Sequence, residues 1–163
     1  MPPLPATHRT RMTKTAHSIS ALTGAPSWTS QQPSFSAARD LPVLGRAQGG
    51  SDGNLVLDEN AIDWTFRPAD LQGVKDAFAV YVTGDSMVPK YGDGDLAYVH
   101  PRKPPRSDRF VLVETRDHSG FIKQFVGWED GVLVLRQFNP AEEIRLARPD
   151  VRRVMLVIGS LDA

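Results

Sequence analysis

The chain has 163 residues, 19 basic and 19 acidic side chains, a formal net charge of +0 and no cysteine. That length suits one ordinary domain, or a smaller one with a tail, and the missing cysteine excludes disulfides, thiolate metal sites and cysteine nucleophiles. No segment reaches the ~18–20 apolar residues of a membrane span and the N-terminus lacks the apolar core of a signal peptide, so a cytoplasmic location in a reducing compartment is expected.

Residues 1–40 form the first section. They are rich in Ser, Thr and Pro, and residues 1–39 hold Arg9, Arg11, Lys14 and Arg39 with no acid. Of the 19 basic groups, 15 therefore remain in the body against all 19 acids, a net of −4. A basic, flexible, acid-free arm is predicted ahead of a mildly acidic body. Only AHSISALTGAPSW has the makings of a short helix, ending near Gly24 and Pro26. The composition also suits an organelle transit peptide, a mis-assigned start or a truncated upstream domain.

From Leu41 to Ala163 the signals are those of β structure. DAFAVYVTG alternates, with Phe78, Val80 and Val82 on one face, and DLAYVH, RFVLVET, GFIKQFV, GVLVLRQF and VRRVMLVIG follow. TRDHSG reads as a hairpin loop between two of them. Without βα alternation, the body is predicted to be mostly antiparallel β, a distorted barrel or sandwich.

One corner interrupts this pattern. TGDSMVPKYGDGD, residues 83–95, sets Ser86 and Met87 among turn formers. A serine hydroxyl is a poor nucleophile until a base takes its proton. Four histidines are available: His8 and His17 in the arm, His100 before a proline and His118 at the hairpin tip. Each reads as a solvated surface residue, and none has metal-ligand spacing. Lysine is the other choice. In GFIKQFV the strand period puts Lys123 on the face of Phe121 and Phe125. Burial lowers an ammonium pKa by as much as ~3–5 units, and a neutral amine can serve a serine as general base. A lysine on an edge strand, snorkelling out over aromatics, has the same pattern. Met87 reads as core, and Asp93 and Asp95 as turn-fixing hydrogen-bonders.

GDSMVPKYGDGDLAYV, Lys123 in FIKQFV 37 residues after Ser86, LRQFNP and VMLVIGS together resemble the peptidase domain of LexA and phage repressors. LPVLGRAQGG resembles the cleavage segment upstream of that domain. The likeness covers about residues 41–160. It implies a small, mostly-β peptidase domain (residues 41–163 here) that dimerises through its body, with Ser86 as nucleophile, Lys123 as general base and the backbone N–H groups of Ser86 and Met87 as oxyanion hole. It implies no cofactor and no metal. It also implies self-cleavage stimulated by a RecA filament, in the control of transcription during a DNA damage response. The corresponding bond is Gly49–Gly50, where the family commonly has Ala-Gly, with Ala47–Gln48 as a second possibility. The family's N-terminal helix-turn-helix has no counterpart in residues 1–40, so specific DNA binding is expected only if such a domain precedes this chain. Two other readings stay open: a non-cleaving dimerisation module of the same fold, and a soluble signal-peptidase-like serine-lysine hydrolase, which GDSMVP and FIKQFVG also resemble.

Overall fold

The computed structural model describes residues 38–48 and 56–163. The arm up to residue 37, its predicted helix, His8, His17 and the Gly49–Gly50 bond lie outside these residues.

Ten strands form one sheet: β1 (Leu41–Gln48), β2 (Val56–Leu57), β3 (Asp63–Thr65), β4 (Phe78–Thr83), β5 (Leu96–His100), β6 (Phe110–Thr115), β7 (Gly120–Glu129), β8 (Val132–Phe138), β9 (Ala141–Ala147) and β10 (Val151–Leu161). Their order is β2-β1-β4-β5-β10-β6-β7-β8-β9, and β3 also pairs with β1. Every predicted strand is present, and TRDHSG is the turn joining β6 to β7, with Thr115 N–H donating to the Ser119 carbonyl. Most pairs are antiparallel, as expected for a chain linked by short turns. The exception is β1, which runs parallel to β4. A parallel neighbour needs a long connection, and residues 49–77 supply it.

Two rules of strand chemistry explain the core. Alternation sends Phe78, Val80 and Val82 to one side, where they meet Met87, Tyr91, Leu112, Ile122 and Met155. Residues of the opposite face (Leu41, Val43, Ala79, Leu96, Tyr98) pack with Leu71 of a short 3-10 turn at Ala69–Leu71. A third cluster, Val111, Val113, Phe121, Phe125, Leu133 and Leu135, lies under β6, β7 and β8. Each such buried side chain contributes about 1.5–3 kcal/mol of transfer free energy. The sheet curls enough for β1 to come against β7, two strands that are not neighbours in the hydrogen-bonded order.

Close approach fixes the path of β1. Gly45 has φ +148, and a Cβ there would lie 2.1 Å from the Val56 carbonyl oxygen. Only glycine lets β2 come this near. The β1–β4 register also shifts between Val43 and Arg46, around this residue.

Candidate active site

The corner between β4 and β5 is built by its own turn formers. Gly84 turns the chain with φ +81, and its N–H donates to Asp93 Oδ1 at 2.9 Å. Asp95 accepts from Gly92 N–H at 2.8 Å and from Ala163 N–H at 3.1 Å. Both aspartates thus fix the loop, as their setting in GDGD implies. A helical-type turn follows: Val88 N–H donates to the Asp85 carbonyl, and Lys90 and Tyr91 N–H both donate to the Met87 carbonyl. Met87, 1% exposed, anchors that turn in the core.

Ser86 stands at the start of the turn and is buried. Lys123 enters from the middle of β7, opposite Val111 of β6, and is fully buried. Their side chains meet, with Lys123 Nζ 2.8 Å from Ser86 Oγ. The lysine therefore points inward with Phe121 and Phe125, and does not snorkel to the edge. Its Nζ lies 5.6 Å from the Phe121 ring centre. Burial lowers its pKa from 10.5 to about 8, against an opposing pull from the Glu142 carboxylate.

The other candidates lie elsewhere. No described histidine hydrogen-bonds to Ser86. His100 closes β5 half-buried, and His118 occupies the tip of the β6–β7 turn with φ 66. Among the described residues no group of His, Asp and Glu is arranged to hold a metal, and no helix is long and apolar enough to cross a membrane. A cavity of about 840 Å³ opens between Leu44, Phe78, Glu114 and Arg153, and neither Ser86 nor Lys123 lines it. The N–H groups of Ser86 and Met87 donate to no other described group.

Three further residues had no role assigned from the sequence, although Gln137 and Asn139 lie in LRQFNP. Asn139 donates through Nδ2 to the carbonyl and carboxylate oxygens of Asp85, both at 3.3 Å. Gln137 and Glu142 face each other across β8 and β9 and share a 3.1 Å hydrogen bond. Their partners lie far off in sequence or on a strand that periodicity did not reveal.

A curled, mostly-β sheet thus holds a serine and a lysine hydrogen-bonded to each other in its interior. Residues 42–159 match the Peptidase S24-like family, and the chain belongs to it. Repressor protein C of Rhizobium phage 16-3 is 40% identical over 126 residues, which are 72% of this chain and 48% of that protein. The LexA repressor of Moorella thermoacetica is 30% identical over 105 residues, 61% of this chain and 49% of its own. That of Streptomyces coelicolor is 31% identical over 137 residues, 83% and 56% respectively. The chain spans about half the length of the curated relatives it matches.

Proposed function

We propose that this domain is a self-cleaving serine peptidase of repressor type, in which Ser86 is the nucleophile and Lys123 the general base. The observation that carries the reading is the 2.8 Å contact between a fully buried lysine amine and a buried serine hydroxyl. A lysine held near pKa 8 is neutral in about one molecule in ten at pH 7. That fraction suffices for slow chemistry on a tethered substrate, because the substrate is part of the same chain.

The neutral Nζ takes the Ser86 proton as Oγ bonds to the Gly49 carbonyl carbon, and the carbonyl π electrons move onto oxygen. The Ser86 and Met87 N–H groups stabilise that oxyanion, a role worth about 10²–10³ in rate per donor. The C–N bond then breaks with the electron pair on the Gly50 nitrogen, which receives the proton from the Lys123 ammonium. Water, deprotonated by the same amine, releases Gly49 from the serine ester. The names of the relatives support a place in transcriptional repression; a homodimer as the acting form and a RecA filament as co-activator complete the proposal.

The test is to incubate the full chain from neutral to alkaline pH and map its fragments by mass. Fragments ending at Gly49 and starting at Gly50, absent from Ser86→Ala, are the expected result. An intact chain under all conditions replaces this reading with that of a non-cleaving module.

A further inference from the structure

The stretch LRQFNP, residues 135–140, closes β8 and opens the turn into β9, and this turn is hydrogen-bonded to the Ser86 backbone. On the serine side, the Ser86 carbonyl accepts from Phe138 N–H at 3.0 Å and from Asn139 N–H at 2.8 Å. The Asn139 amide closes on Asp85, the residue before the serine, at two oxygens. Four hydrogen bonds thus pin residues 85 and 86 from a turn more than fifty residues away in sequence.

On the lysine side, strand geometry sets the arrangement. Phe125 pairs with Leu135 and Leu135 with Ile144, so these three share a face. Lys123 is two residues from Phe125, Gln137 is two from Leu135, and Glu142 pairs with Gln137. The apolar face of β7, β8 and β9 therefore ends in a polar row: Lys123, Gln137, Glu142. Gln137 is 4% exposed. Its Nε2 donates to Glu142 Oε1 at 3.1 Å and to the Pro140 carbonyl at 3.2 Å. Its Oε1 is buried without a hydrogen-bond partner. A buried acceptor lacking a donor is unfavourable, and a newly formed ammonium on the same face is a donor that suits it.

We propose that the 137–142 turn is the positioning element of the site: Asn139 fixes the Ser86 backbone through Asp85, and Gln137 with Glu142 stabilises the ammonium that Lys123 becomes on taking the serine proton. The proposal rests on the serine-lysine reading above. Among the described residues, the Glu142 carboxylate raises the Lys123 pKa against burial. Asp85 is bonded to Asn139, Arg136 to Gln124, and Glu143 to Arg145. On β6, Glu114 is held by Arg152 and Arg153, and on β1 Arg46 lies over the Tyr81 ring.

The experiment has two arms in the full chain. In a Ser86→Ala background, which cannot form the ester, the Lys123 side chain is followed by NMR of ¹³Cε-labelled lysine through a pH titration. Glu142 is exposed, so water screens its field, and Glu142→Gln should lower the Lys123 midpoint by about half a unit. Glu142→Asp, which keeps the charge, should stay nearer the parent. With Ser86 intact, Asn139→Ala should slow self-cleavage about tenfold at every pH and leave the midpoint of the pH profile unmoved. An unmoved Lys123 titration in Glu142→Gln, or a parental rate in Asn139→Ala, overturns the corresponding half. If the parent itself does not cleave, the peptidase reading falls, while the lysine titration still decides the role of Glu142.

Discussion

Gln48, the last residue of β1, is in parallel register with Thr83, the last residue of β4. Gly49 and Gly50 follow the first in sequence, and Ser86 comes three residues after the second. Neighbouring strands lie about 4.8 Å apart, so β1 and β4 run side by side and stop together. Lys123 comes from β7, against which β1 also packs. The site we propose is thus assembled where three strands converge, and several measurable properties depend on it.

The pair itself is the first. Ser86→Ala and Lys123→Ala should each abolish self-cleavage. Lys123→Arg should not restore it, since a guanidinium stays protonated at any useful pH. Fragment masses after prolonged incubation decide the matter, and parental fragments from either alanine variant remove the dyad.

Rate should follow the proton on Lys123. With a folded pKa of about 8, self-cleavage should climb tenfold per pH unit up to that value and then level off. Initial rates from pH 6 to 10 give the profile. A bell centred near neutrality would point to a histidine instead.

Stability should carry the same signature. Burial holds the folded-state pKa of Lys123 below its unfolded value of 10.5, so between about 8 and 10.5 the unfolded chain binds more protons. Unfolding free energy therefore rises with pH across that window. Below it the full penalty applies, about 3 kcal/mol from the size of the shift. Lys123→Met should stabilise the fold at pH 7 by about 2 kcal/mol, part of the gain being offset by the orphaned Ser86 hydroxyl. It should also abolish the alkaline rise. Urea midpoints at pH 7 and 10 test both statements, and a less stable methionine variant contradicts them.

Gly45 should tolerate no side chain. The Cβ of Gly45→Ala would meet the Val56 carbonyl in a backbone conformation that disfavours alanine. A loss of about 2–3 kcal/mol is expected, with slower cleavage because β1 leads into the proposed bond. Equal stability to the parent in urea would mean that β2 does not approach as described.

Ordering a glycine costs more conformational entropy than ordering an alanine. Gly49→Ala should recover up to ~1 kcal/mol of ordering and fill a small space beside the nucleophile. Cleavage about fivefold to thirtyfold faster is expected if ~1–2 kcal/mol is regained. A slower variant, or a new N-terminus other than Gly50, moves the bond elsewhere.

Much of the fold could be read locally. Strands β4 to β8 and β10 announce themselves by alternating or continuous apolar runs between turn formers, because each has one or both faces in the core. Strand β9, AEEIRLA, lacks that signal, since as an edge strand it puts Glu142, Glu143 and Arg145 in water and half-buries Ile144 and Leu146. The parallel pairing of β1 with β4 is invisible locally, as no residue pattern encodes which strand will be the neighbour. At the site, Ser86 and Lys123 were legible through a short box, a strand face and a family likeness. Asn139, Gln137 and Glu142 were not. An asparagine before a proline reads as a turn, and a glutamine–glutamate pair reads as surface, until the sheet brings them to the serine and the lysine.

The placement of β1 between β4 on one side and β2 and β3 on the other separates two events that a severed peptide bond would seem to merge. β3 pairs with the first part of β1, β2 with its later part and β4 with its far side, while Leu41 and Val43 are fully buried. A break after Gly49 removes one covalent link and none of these contacts. The nicked chain is thus a non-covalent complex of its own two pieces. On the cleavage proposed above, the upstream piece would part from the body only when β1 leaves the sheet.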